Sequence, residues 1–134
     1  MAGADRVALD GHPYRSFGPQ SNQPMITQTR SSCEWGIGVN NSNNAFGLTT
    51  AGEFSSAVTD CGLFLNGIGG GSRFEGTFIG GGFARIGNCE PWTDWRNFNA
   101  EMKQGMLEYT LASMDALQVC SLHITCTVII LTNI

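Results

Sequence analysis

Two short segments carry side chains that could do chemistry together. In the first, an apolar run at 7–9 leads into Asp10-Gly11-His12-Pro13-Tyr14, the pattern of a buried strand that delivers polar residues at its C-terminal end. His12 and Tyr14 lie two positions apart, so an extended backbone puts both on one face. In the second, residues 45–53 form another strand pattern, closed by a carboxylate directly after Gly52. No packing role explains a carboxylate there. Glu53 is therefore either a catalytic or ligand-binding group, at the strand end where barrel enzymes keep their active sites, or a surface or capping residue.

Other candidates are weaker. Trp92 and Trp95 flank Asp94, where they could be a stacking platform for a ligand or a packed lid. The glycines at 67, 69, 70 and 71 and at 80–82 neither join a strand to a helix nor carry Gly-Lys-Ser/Thr, so they are loop hinges rather than a phosphate cradle. Cys120, His123 and Cys126 sit in a β-branched run with no second ligand pair, and no metal site is expected from them.

The elements needed to position Glu53, His12 and Tyr14 follow from the intervening sequence. Between the two strands, 21–39 has helix signals: Pro24 near a first turn, apolar Met25, Ile26, Trp35 and Ile37, and a stop in Gly36, Gly38 and the asparagines of 40–44. Strand, helix, strand is a βαβ unit, which requires parallel pairing. A long irregular stretch at 54–98, rich in Gly, Asn and aromatics, follows, with a short helix expected around 56–65. Loops of that length are commonly functional. The strongest helix pattern is 99–118, with Asn99 as N-cap and an apolar stripe of Met102, Met106, Tyr109, Leu111, Ala112, Met114 and Leu117. After Gln118 the character changes abruptly to a β-branched run without acidic residues, aromatics or turn signals.

Composition sets the outer limits. The chain of 134 residues is 42% hydrophobic and only 13% charged, a globular balance about one small domain long. A net charge of −4, with seven Lys plus Arg scattered singly, offers no basic stripe to neutralise phosphates, so nucleic acid is not an expected partner. Low charge together with aromatics, Asn, Ser, Thr and eighteen Gly suits a carbohydrate surface, since sugars present hydroxyls and apolar ring faces. Five Cys without a C-x-x-C pair look like secreted disulfides rather than a zinc framework. The N-terminus lacks the features of a signal peptide and no apolar run reaches bilayer length; the export signal of a secreted parent is expected outside this chain.

Four segments in order carry a resemblance: Leu-Asp-Gly-His-Pro-Tyr (9–14), Ala-Gly-Glu-Phe-Ser-Ser-Ala-Val-Thr-Asp-Cys-Gly-Leu-Phe-Leu-Asn-Gly (51–67), Ser-Arg-Phe-Glu-Gly-Thr-Phe (72–78) and Ile-Gly-Asn-Cys (86–89). Over about residues 5–118 the chain resembles the fungal exo-β-1,3-glucanases of glycoside hydrolase family 5. The resemblance implies an α/β fold, the C-terminal portion of a (β/α)8 TIM barrel, with the two strands as its sixth and seventh. It makes Glu53 the catalytic nucleophile, and His12 and Tyr14 the pair that line the cleaved sugar's site and orient that carboxylate. Phe74, in the aromatic-Glu-Gly loop, and Trp92 are then expected to bind substrate. Cys61 and Cys89 flank the long loop and could close it as a disulfide, while Cys33 is expected to lack a native partner. No cofactor or metal is implied. The partner is a β-1,3-glucan polysaccharide or oligosaccharide, outside the cell or in the cell wall, and no oligomeric state follows.

Two departures qualify what the resemblance implies. The general acid of the family belongs to an Asn-Glu pair at the end of the fourth strand, and no Asn-Glu dipeptide occurs here. The first five strands and the eighth are thus expected to be missing, and the chain to be inactive alone. Residues 119–134 replace the Phe- and Trp-rich eighth strand and are taken as an unrelated tail, a candidate translated intron, since Val-Cys and Leu-Thr-Asn can encode splice-signal patterns. Transcript reads without a junction at codon 119 would contradict that origin. Alternatives are a non-catalytic glucan-binding or unfolded product, or another family 5 activity such as an endo-β-glucanase.

Overall fold

The computed structural model describes residues 7–118; the tail at 119–134, including Cys120, His123 and Cys126, lies outside the described residues. The elements run β1 (Leu9–Gly11), α1 (Met25–Ser31), α2 (Cys33–Phe46), β2 (Thr49–Ala51), single 3-10 turns at Glu90–Trp92 and Trp95–Asn97, and α3 (Ala100–Gln118). β1 and β2 pair in parallel, with Leu9 opposite Thr49, Asp10 opposite Thr50 and Gly11 opposite Ala51. Both helices of the crossover lie between them in sequence, as a parallel connection requires. The result is a small mixed helix and strand unit with a two-stranded sheet.

Element limits differ from the sequence expectation in instructive ways. The first strand starts two residues later than 7–9 and includes Asp10 and Gly11, because the ladder is set by pairing with 49–51 rather than by the apolar run. The single helix expected at 21–39 is two helices, separated at Ser32. The second runs straight through the asparagines of 40–44 and takes Ala45 and Phe46 from the strand expected at 45–53. Asparagine's helix penalty is only a few tenths of a kcal/mol per residue, so tertiary packing overrides it. The helix stops at Gly47, whose φ of 126° lies in the left-handed region and whose N–H donates to Asn43 O at 3.1 Å. No helix forms in 56–65.

The third helix starts where expected, with Asn99 Oδ1 accepting Met102 N–H at 2.8 Å. Its inward face is not the stripe of large residues. Gly105, Tyr109, Ser113 and Ala116 are buried, whereas Leu111 and Met114, expected to be inside, are 48% and 43% exposed. Small residues win because α1 and α2 approach too closely for large ones: a Cβ at Gly105 would come 2.7 Å from Met25 Cβ, and one at Gly36 would come 2.5 Å from the Ala116 carbonyl oxygen. Tyr109, fully buried, fills the remaining space and meets Trp35 edge to face at 6.1 Å. Gly36→Ala should therefore cost about 1–3 kcal/mol through overpacking, seen as a lower denaturant midpoint with unchanged slope. An unshifted midpoint would mean that α2 and α3 are not packed this closely.

The long loop is organised by one carboxylate and one disulfide. Asp60, 1% exposed, accepts from Ser72 Oγ at 2.6 Å, Arg73 N–H at 2.8 Å, Phe74 N–H at 3.1 Å and Asn66 Nδ2 at 2.9 Å. Cys61 and Cys89 are joined across 28 residues with Cα atoms 5.2 Å apart, over the buried ring of Phe74. In the chain-entropy picture a loop of this size is stabilised by about 3.5 kcal/mol. The Cys61→Ser, Cys89→Ser pair should lose roughly that amount in chemical denaturation, and a loss near zero would show the loop held by Asp60 alone. Cys33 is also disulfide-bonded, which corrects the expectation that it lacks a partner.

Candidate active site

Parallel pairing brings the C-terminal ends of β1 and β2 to the same side, and the chain leaves those ends through His12 and Tyr14 on one strand and Gly52 and Glu53 on the other. His12 Nδ1 stands 3.2 Å from Glu53 Oε1. The neighbouring Glu53 carboxylate first, as an acceptor for the Tyr14 hydroxyl, with burial adding to it, raises the phenol above its ordinary range. A phenol held next to a carboxylate keeps its proton and serves as a donor to it. One carboxylate oxygen set therefore has a ring nitrogen and a hydroxyl arranged around it, while more than half of the Glu53 side chain stays open to solvent.

Asp10 completes the cluster. Its Oδ1 accepts the Gly52 N–H at 2.7 Å and its Oδ2 lies 3.0 Å from His12 Nε2. The His12 bond chiefly, joined by the Gly52 bond, outweighs the opposing effect of burial and holds the Asp10 carboxyl below the usual carboxylate range. A Cβ at Gly52 would lie 2.3 Å from Asp10 Oδ1, so a larger residue there would displace the Asp10 carboxylate. Beyond Tyr14, Phe17 meets its ring edge to face at 5.4 Å and remains 53% exposed. Neither Asp10 nor Phe17 was singled out by sequence reasoning. Asp10 could have been suspected from the small residue before Glu53; Phe17 has no local signal beyond its spacing from Tyr14.

No protein-family model matches the chain. It is 33% identical over 115 residues to glucan 1,3-beta-glucosidase I/II of Saccharomyces cerevisiae, covering 84% of this chain and 25% of that protein. It is 35% identical to the glucan 1,3-beta-glucosidase of Lachancea kluyveri, covering 84% of this chain and 26% of that protein. Glucan 1,3-beta-glucosidase 2 of Wickerhamomyces anomalus is 31% identical, again over 84% of this chain. The chain is a relative of the fungal glucan 1,3-beta-glucosidases. It spans about a quarter of the length of the curated relatives it matches, and those glucosidases are glycoside hydrolases.

Set beside the glucosidase relatives, the aromatic residues sort by exposure. Phe74 was expected to bind substrate, but its ring is 1% exposed, lies against Cys61 and Cys89, and would block a Cβ at Gly87 at 2.3 Å. It is a core residue of the loop, with no face left for a sugar. Trp92 is half-buried and packs edge to face on Phe74 at 6.4 Å and on Phe98 at 5.9 Å. Trp95 is 70% exposed, with Lys103 Nζ 5.9 Å from its ring centre. Among the described residues no group of His, Cys, Asp and Glu is placed to hold a metal ion, and no helix is long and apolar enough to cross a membrane.

Proposed function

We propose that this chain carries the nucleophile side of a retaining exo-β-1,3-glucosidase that acts, as part of a complete barrel, on terminal linkages of fungal cell-wall glucan outside the cell. The observation that carries the reading is the placement of Glu53 at a strand end with His12 and Tyr14 on its carboxylate, in a chain related to glucan 1,3-beta-glucosidases. β1 and β2 fit the sixth and seventh strands of a (β/α)8 barrel of family 5. Glu53 attacks the anomeric carbon to give a glycosyl ester, while a second carboxyl about 5–5.5 Å away protonates the leaving oxygen. His12 and Tyr14 orient the nucleophile, and Tyr14 returns a hydrogen bond to it. Phe17 offers an open ring beside Tyr14 for a sugar face, and Trp92 keeps part of its ring available for the same purpose.

Asp10 does not supply the second carboxyl. Bound to His12 and to a backbone N–H, it is held ionised at neutral pH and has no proton to give. Glu75 does not fit either: its Oε1 accepts Cys89 N–H at 3.3 Å and lies 3.6 Å from Arg85 Nη2. In this reading the acid comes from strands outside this chain. Purified chain incubated with laminarin should release no glucose above a Glu53→Gln control. A chimera in which residues 1–118 replace the matching segment of the Saccharomyces cerevisiae relative should release it. Glu53-dependent hydrolysis by the chain alone would mean that the acid lies within these residues, and the proposal of an incomplete site would fall.

A further inference from the structure

We infer that Asp10 is a positioning residue of this site, fixing the His12 ring and the backbone ahead of Glu53 as one unit; the inference rests on the reading of Glu53 as nucleophile. The two oxygens of Asp10 have separate partners. Oδ1 takes the N–H of Gly52, the residue directly before Glu53, and Oδ2 takes the ring of His12, whose other nitrogen faces Glu53. One carboxylate on β1 thus touches both the main chain that carries Glu53, where it shares the Gly52 N–H with Gly11 O at 3.2 Å, and the imidazole that approaches Glu53. The His12–Glu53 and His12–Asp10 pairs are alike in exposure, with the His12, Glu53 and Asp10 side chains 46%, 57% and 54% exposed, and exposed pairs of this kind contribute little by themselves; what sets Asp10 apart is that its other oxygen is held by the Gly52 N–H. The ring's orientation accordingly depends on a bond anchored to main chain, which the Asp10 clasp provides.

Hydrogen-bond chemistry turns this into a measurable state. An ionised carboxylate only accepts, and both nitrogens face one; the Nε2 contact to Asp10 has hydrogen-bond geometry whereas Nδ1 only lies near Glu53, so Asp10 selects the form of His12 with hydrogen on Nε2. Nδ1 is then left to Glu53, and it donates there only when the ring takes a second proton. The groups that face the ring are Asp10 and Glu53, with Tyr14 behind Glu53. Asparagine at position 10 would keep an acceptor for Gly52 N–H but would turn an N–H donor toward Nε2, moving the single hydrogen of the neutral ring to Nδ1.

Side-chain nitrogen NMR of the full chain reads this directly. The sequence has two histidines, His12 and His123, so a His123→Gln variant assigns the signals. With the ring neutral, the wild type should show a hydrogen-bearing Nε2 and a bare Nδ1, and Asp10→Asn the reverse. The Gly52 N–H also donates to Gly11 O at 3.2 Å, so its exchange protection does not isolate Asp10, and the ring tautomer is the deciding reading. Hydrogen on Nδ1 in the wild type, or a tautomer unmoved by Asp10→Asn, overturns the inference. If Asp10→Asn does not fold, the wild-type tautomer alone decides. No glucan is needed, so a failure of the glucosidase reading shows in the laminarin assay and a failure of the clasp shows in the spectrum.

Discussion

Glu53→Gln in the chimera should reduce the initial rate of glucose release from laminarin by roughly 10⁴-fold or more, because groups that act as a unit lose most of their joint acceleration when one is removed. Gln is nearly the same shape, and its amide can still meet His12 and Tyr14, so the fold and much of the sugar's site persist. What disappears is the electron pair that forms the bond to the anomeric carbon. The loss should therefore fall on kcat, with KM changed little. A variant that keeps most of its rate would remove Glu53 from the chemistry and leave His12 and Tyr14 as mere neighbours of a surface carboxylate.

Asp60→Ala should be the most damaging change to the fold, lowering stability by about 3–5 kcal/mol. Its carboxylate is the common acceptor for the Ser72 hydroxyl, the Asn66 amide and the N–H groups of Arg73 and Phe74, and Arg73 Nη1 stands 3.5 Å away. Alanine leaves the Ser72 hydroxyl and the Arg73 and Phe74 N–H groups without that acceptor, while Asn66 Nδ2 keeps Gly71 O at 2.9 Å. Burial by itself raises the carboxyl's pKa, but the Ser72, Arg73, Phe74 and Asn66 bonds together outweigh it and place Asp60 below the ordinary 3.8. A folded value below the unfolded one means that the stabilisation is whole above pH 3.8 and fades as the pH falls toward and through the folded value. Acid denaturation of the wild type should thus steepen below pH 3.8 while Asp60→Asn shows a flatter limb. Parallel acid limbs in the two proteins would contradict this role.

What the sequence disclosed was the part encoded locally. An apolar run followed by polar residues, and a carboxylate after a small residue, sufficed to place His12, Tyr14 and Glu53 at strand ends, because strand direction and side-chain alternation are short-range properties. Helix limits were misjudged where packing overruled propensity: the asparagines of 40–44 stay helical, and the next stop is set by Gly47. The face of α3 was misjudged for a related reason. Close approach of helices selects Gly105 and Ala116 over Leu111 and Met114, and a hydrophobic pattern counts size in the opposite sense.

The two carboxylates that organise the structure were harder to read for a different reason. Asp10 lies two residues from His12, but its other partner, Gly52, is 42 residues away, and Asp60 gathers donors 6 to 14 residues downstream, so local spacing reveals at most part of either role. Phe74 shows the converse error: an aromatic in a loop motif was assigned to substrate when the disulfide between Cys61 and Cys89 uses its ring as core.

The most direct test of the central claim is to trap the covalent intermediate. The chimera would be incubated with a 2-deoxy-2-fluoroglucosyl fluoride, which forms the glycosyl ester and slows its hydrolysis, and then digested for peptide mass analysis. The account predicts one fluoroglucosyl adduct, on the peptide containing Glu53 and at that carboxylate, with none in Glu53→Gln. An adduct on another carboxylate, or full turnover with no adduct at Glu53, would contradict it.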